Sequence, residues 1–120
     1  MQPYEELDAW KASHVLALAI YNATRLWPRD ERYGLTAQIR KAGFSVPANI
    51  VEGRAKLGRK EFRRFLDISW GSLAEVEYTL HLARDLGYLG SDGYEHLKGL
   101  CRTAAKPLYG LLRSMGPPQP

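Results

Sequence analysis

The stretch Gly58–Leu86, GRKEFRRFLDISWGSLAEVEYTLHLARDL, decides the fold. It contains no proline and no loop signal, and Phe62, Phe65, Ser69, Leu73, Val76, Leu80 and Ala83 recur at steps of three and four. Residues at that spacing share one face of an α-helix, so the pattern predicts a single long helix with an apolar seam, as in a bundle. At 1.5 Å per residue it would measure roughly 43 Å. Leu66, Ile68 and Trp70 add apolar surface beyond the seam. Gly71-Ser72 at mid-helix costs about 1 kcal/mol in propensity and points to a close helix crossing.

Working outward, three further helices follow. Leu35, Ile39, Ala42, Val46 and Ile50 predict a helix over about 35–51. Pro47 lies inside it and removes the bond to the Gly43 carbonyl, which predicts a kink, and Glu52-Gly53 reads as its C-terminal stop. Beyond the long helix (about 58–86), Gly87-Tyr88-Leu89-Gly90 is a break, and Ser91 or Asp92 is placed to cap a helix over about 92–115, with Asp92 and Glu95 spaced as a capping box. Tyr94, Leu97, Cys101, Ala104, Leu108, Leu111 and Met115 form its stripe, and Pro107 should bend it. The first helix is expected over about 5–26, with Leu7, Trp10, Ala17 and Ile20 or Tyr21 inward, and Pro28 ending it after Trp27. Val15–Tyr21 is apolar all round and should be covered on more than one side. Four amphipathic helices with short connections predict an all-α, antiparallel, up-down-up-down four-helix bundle over residues 1–115, with 116–120 as a flexible tail.

The composition, 45% hydrophobic and 25% charged over 120 residues, fits one globular domain. The longest apolar run is far below the roughly 20 residues of a membrane span. The acidic N-terminus is unlike a signal peptide, so an intracellular, cytoplasmic protein without membrane contact is expected. Cys101 has no partner for a disulfide and sits at an apolar helical position, which predicts a buried inert thiol. The net charge of +4 is segregated: −1 over residues 1–32, +6 over 33–64, −5 over 65–96 and +4 over 97–120. The positive charge is therefore a local patch.

The segments Tyr33–Ala42, Ser45–Gly53, Phe62–Leu66 and Gly71–Glu77, with the opening Glu6–Ala12, resemble the bacterial four-helix-bundle family named for the open reading frame in 23S ribosomal RNA intervening sequences. The resemblance spans nearly the whole chain in order, and Ser-x-Pro-x-Asn-Ile-x-Glu-Gly is its most specific part. It implies a single bundle, a ring-shaped homopentamer and no established enzymatic activity. It also implies kinship to the accessory protein of diversity-generating retroelements, a basic pentamer thought to bind nucleic acid and reverse transcriptase. The label "ribosomal protein" that the family sometimes carries reflects gene location. The sequence departs from the pattern at Gly43-Phe44, where small residues are commoner, and at Gly58, where a capping Ser is usual.

No catalytic constellation emerges. His14, His81 and His96 lack a Glu three residues before them, so the di-iron pattern of helical bundles is absent, and no phosphate loop or nucleophile elbow occurs. Glu77 and His81 could share a helix face, but two ligands are not a metal site. No cofactor, no metal and no enzyme activity are expected. The strongest functional feature is basic: Arg54, Lys56, Arg59, Lys60, Arg63 and Arg64 with only Glu61 opposing, preceded by Arg40 and Lys41. These residues are read as a nucleic-acid-binding surface for RNA or DNA. The alternative is an adaptor whose same surface docks an acidic protein. Surplus apolar residues, Trp10, Leu66, Ile68 and Trp70, are read in part as the interface of a homo-oligomer, the alternative being a thick core that absorbs them. Ser45, Pro47, Asn49, Glu52 and Gly53 are read as a structural motif around the bend.

Overall fold

Helices take up most of the chain in the computed structural model, which describes residues 2–118. They are α1 (Asp8–Ala23), α2 (Leu35–Ala55), α3 (Arg59–Asp85) and α4 (Ser91–Ser114), and no strand occurs among the described residues. Helix α2 packs on α1 and α3, while α4 packs on α3 and α1, so each helix lies beside its neighbours in sequence and the square closes. This is the antiparallel four-helix bundle, 43 × 28 × 24 Å. Met1, Gln119 and Pro120, which the expected domain and tail include, lie outside the described residues.

The core is filled by Leu16 and Ile20 of α1, Ile39, Val46 and Ile50 of α2, Leu66, Leu73, Val76 and Leu80 of α3, and Leu97, Cys101 and Leu108 of α4. Two helices sit at a different phase from the one expected. On α1 the buried positions are Ala9, Ser13, Leu16 and Ile20, which leaves Trp10 and Ala17 on the flank and Tyr21 exposed. The run Val15–Tyr21 is apolar on every side and so carries no phase information. Its outer side, Val15, Leu18 and Tyr21, is not covered within the protomer. On α4 the stripe ends on Leu112 rather than Leu111. A straight helix drifts by about 20° per heptad from a strict seven-residue repeat, enough by the third heptad to advance the buried position by one.

Helix α1 also starts later than expected. Pro3–Glu6 form a separate 3₁₀ turn, Leu7 is extended, and Thr24–Leu26 form a second 3₁₀ turn ahead of Trp27. Helix α2 does not stop at Glu52-Gly53 but runs through Pro47 and Gly53 to Ala55. Gly53 is buried where α2 and α3 approach most closely: a Cβ there would lie 2.8 Å from Phe65 Cβ and 3.4 Å from the Phe62 carbonyl. At Gly43 a Cβ would lie 2.7 Å from Ile20 Cδ1, the movable tip of a side chain. Both glycines cost helix propensity, by about 1 kcal/mol. Gly53→Ala should therefore destabilise the protein by about 1–2 kcal/mol net of the propensity gain, because Phe65 Cβ cannot move without its backbone. Gly43→Ala should cost clearly less, and thermal melts of the two variants give the comparison.

The helix starts use other devices than those expected. Gly58 precedes α3 at φ 101°, ψ 150°, a region essentially restricted to glycine, so a serine could not take its place without strain. Helix α4 follows Gly90 with no side-chain cap, and the Asp92–Glu95 capping box does not form. At α2 the cap comes from Glu31: its Oε1 accepts the Leu35 N–H at 2.9 Å while its Oε2 accepts the Tyr88 hydroxyl at 2.8 Å, tying the first connection to the third. The hydrogen bond from Leu35 first, then that from Tyr88, holds the Glu31 carboxyl below its ordinary 4.5. A carboxylate favoured in the folded state contributes stability above 4.5 and loses it as the pH falls through the lowered value. Glu31→Gln should thus melt below the parent at neutral pH, and the gap should narrow in acid.

Candidate functional site

Antiparallel topology brings the C-terminus of α2, the N-terminus of α3 and the C-terminus of α4 to one end of the bundle. The basic run becomes a surface there. Arg54 and Lys56 close α2, Arg59 and Lys60 open α3, and all four are exposed with no ion pair among the described residues. The first amides of α3 point the same way and carry the positive end of the helix dipole. Placing Arg59 and Lys60 in that turn opposes local stability, which a bound anion would reverse. Glu61 is the only acid in it, and its carboxyl is held below the usual range, first by the hydrogen bond from Arg64, with Lys56 and Lys60 contributing.

Arg63 and Arg64 are engaged instead. Arg64 reaches Glu61 through Nη2 at 3.2 Å and lies over the Phe65 ring at 4.6 Å. Arg63 pairs with Asp67 and donates Nε to the Gly116 carbonyl at 3.0 Å. That bond anchors the end of α4 to α3, where Arg113 is exposed with no ion pair among the described residues. Arg113 is absent from the predicted set because it is distant in sequence. The only hint was the +4 charge of residues 97–120. Arg40 and Lys41 do not join the patch. Fourteen residues separate Arg40 from Arg54 on one helix, about 21 Å, and Arg40 is held by Thr24 Oγ1 at 2.8 Å and the Tyr21 ring at 4.9 Å.

The residues expected at an oligomer interface do not form one face. Leu66 is a correction: it is fully buried in the protomer's own core, since the seam of α3 is wide enough to include it. Ile68 and Trp70 are about 200° apart around α3, Ile68 towards α2 and Trp70 beside Tyr109 of α4, with ring centroids 5.7 Å apart. Trp10 lines a shallow depression of about 290 Å³ on the other side of the bundle, with Leu18, Tyr21, Phe44, Pro47 and Val51. That face is the main uncovered apolar surface between α1 and α2: Phe44 is 62% exposed and Leu18 58%.

The motif around Pro47 makes hydrogen bonds within α2 and to α3, with partners other than those expected. Ser45 Oγ and Ser72 Oγ share a 2.7 Å hydrogen bond between α2 and α3, and Asn49 Nδ2 donates to the Ser45 carbonyl and to Ser45 Oγ, both at 2.8 Å. Gly71, expected at a close helix crossing, is instead exposed, with open space where a Cβ would lie. Ser69 Oγ donates to the Val46 carbonyl at 2.7 Å. The carbonyls that gain side-chain donors are thus those of Ser45 and Val46, not that of Gly43. Glu52 is exposed, and Gly53 is the close-approach glycine described above.

Glu77 and His81 line an open groove of about 270 Å³ with Tyr94 and Lys98, but His81 Nε2 faces Asp85 at 3.3 Å. Among the described residues no three His, Cys, Asp or Glu side chains gather as a metal site requires. The Cys101 thiol is pushed up to about 12, chiefly by burial and then by Glu77, which leaves it protonated at neutral pH. No helix among the described residues is long and apolar enough to cross a membrane.

No curated protein matches the chain. A solved structure, a protein with unknown function from the S23 ribosomal protein family of Bacteroides thetaiotaomicron, superposes with a TM-score of 0.80 at 25% identity, covering 88% of this chain and 98% of that one. The family model described as 23S rRNA-intervening sequence protein matches residues 5–110. With the fold shared and the family model matching from residue 5 to residue 110, the chain belongs to the 23S rRNA-intervening sequence protein family.

Proposed function

We propose that this protein is a non-enzymatic, homo-oligomeric helical scaffold, five copies in a ring, whose basic end binds nucleic acid in the cytoplasm. The observation that carries the reading is the gathering of Arg54, Lys56, Arg59, Lys60 and Arg113, none ion-paired among the described residues, at one end of the bundle. A phosphate backbone supplies what that end lacks, regularly spaced negative charge for side chains and helix N-terminus alike. The uncovered α1–α2 face supports self-association, because exposed apolar surface such as Leu18 and Phe44 is what a second copy would bury. A ring would repeat the net +4 of each chain and make weak single contacts additive. The resemblance to the accessory protein of diversity-generating retroelements supports the same combination of assembly and basic charge.

A polarisation titration with RNA and DNA over a range of salt tests this. Engagement of those five side chains by phosphates predicts a log–log salt slope of about −3.5 for a single strand and about −4.5 for a duplex, per protomer. Binding weaker than about micromolar at low salt, or a slope near zero, would contradict it. Tight binding of an acidic polypeptide in place of nucleic acid would favour the adaptor reading.

A further inference from the structure

We propose that the groove between the start of α3 and the end of α4 is a stacking site for unpaired bases, so that the ligand of the basic end is single-stranded nucleic acid. The proposal rests on the reading of that end as a nucleic-acid surface and names what it selects. The groove has a volume of about 420 Å³ and is lined by Arg63, Asp67, Trp70, Tyr109, Arg113 and Pro117. It shares Arg63 and Pro117 with an adjoining depression that contains Arg59 and Lys60. Large aromatic surface and unpaired cations therefore line one continuous path.

Trp70 is 37% exposed and Tyr109 54%, on facing helices, with their rings tilted at 45°. Nothing in the core requires them: the seams of α3 and α4 close on Ser69, Leu73, Leu108 and Leu112. Two stacking contacts on opposite faces of a base need about 7 Å. The centroid separation of 5.7 Å is too short for insertion, so a base stacks on the outward face of the pair. Arg63 is committed to Asp67 and to the Gly116 carbonyl, which fixes the groove floor and leaves the phosphates to Arg59, Lys60 and Arg113. Asp67 keeps phosphates away from the aromatic side and directs the strand with its bases towards Trp70. A duplex presents phosphates with its bases already stacked and gains nothing from the rings, whereas an unpaired strand offers both groups.

The probes are fluorescein-labelled oligo-uridylate and oligo-thymidylate of roughly 12 nucleotides and a duplex of equal length, within the usual span of strand-binding sites. At equal salt, either strand should bind about ten-fold more tightly than the duplex, and oligo-deoxyuridylate, which differs from oligo-uridylate in the sugar alone, shows whether the 2′-hydroxyl matters. Trp70→Ala and Tyr109→Ala should each weaken strand binding about ten-fold, leave duplex binding as it was, and leave the salt slope unchanged. Trp70→Phe retains a ring and should restore most of the affinity, and strand-induced quenching of tryptophan emission should be lost in it. Duplex binding equal to strand binding, or strand affinity untouched in the two alanine variants with parental melting curves, would overturn the stacking site and leave the phosphate reading standing. Failure of every nucleic acid to bind would overturn both.

Discussion

Replacing Arg59, Lys60 and Arg113 together by Gln should weaken nucleic-acid binding about a hundred-fold or more at roughly 0.1 M salt and make the salt slope shallower by about 2.1 for an unpaired strand, or about 2.7 for a duplex. Each side chain projects into solvent with no ion pair among the described residues, so the folded protomer loses little. Removing two cations from the first turn of α3 should even relieve their repulsion with the helix dipole, and the variant should melt at or above the parent temperature. The matching control is Arg25→Gln with Lys41→Gln, exposed cations without an ion pair among the described residues and towards the opposite end of the bundle, which should leave the slope within about one unit of the parent. An equal loss from both sets would mean that general positive charge, and not this end of the bundle, drives binding. Arg63 is unsuitable for the test, because its replacement would also release Gly116 and Asp67.

The second large effect concerns assembly. Phe44→Glu, alone or with Leu18→Glu, should disperse the proposed oligomer. Both side chains face outwards from the isolated protomer, so a carboxylate there costs the fold little. Between copies the same carboxylate would be buried without a partner, a penalty of several kcal/mol at every contact of a ring. Leu26→Glu, on the 3₁₀ turn after α1 and almost fully exposed, should leave assembly intact. Circular dichroism of both variants should keep the helical signal of the parent.

These two surfaces differ in how far the sequence reveals them. The bundle was readable because the seams of α2 and α3 repeat at helical spacing without interruption, and Ile39, Val46, Ile50, Leu73, Val76 and Leu80 are buried as that spacing requires. The side of α1 that faces the core was not, because seven successive apolar residues define a helix but no direction. The basic run from Arg54 to Arg64 was visible as charge, yet which members are available depended on contacts that sequence distance hides. Asp67 and Gly116 occupy Arg63, Glu61 occupies Arg64, and Thr24 and Tyr21 occupy Arg40. Arg113 and Tyr109 join the site only because α4 ends where α3 begins. Gly53 looked like a stop, since glycine serves equally at a helix terminus and beneath a crossing helix, and only the position of Phe65 distinguishes the two roles.

The repetition of one basic end around an assembly depends on apolar surface that a single bundle leaves open between α1 and α2. Light scattering coupled to size-exclusion chromatography measures this directly. The predicted result is a single species with five times the 13.6 kDa of the chain, reduced to one copy by Phe44→Glu. A parent protein that elutes as a stable 13.6 kDa particle at micromolar and higher concentrations would contradict the account.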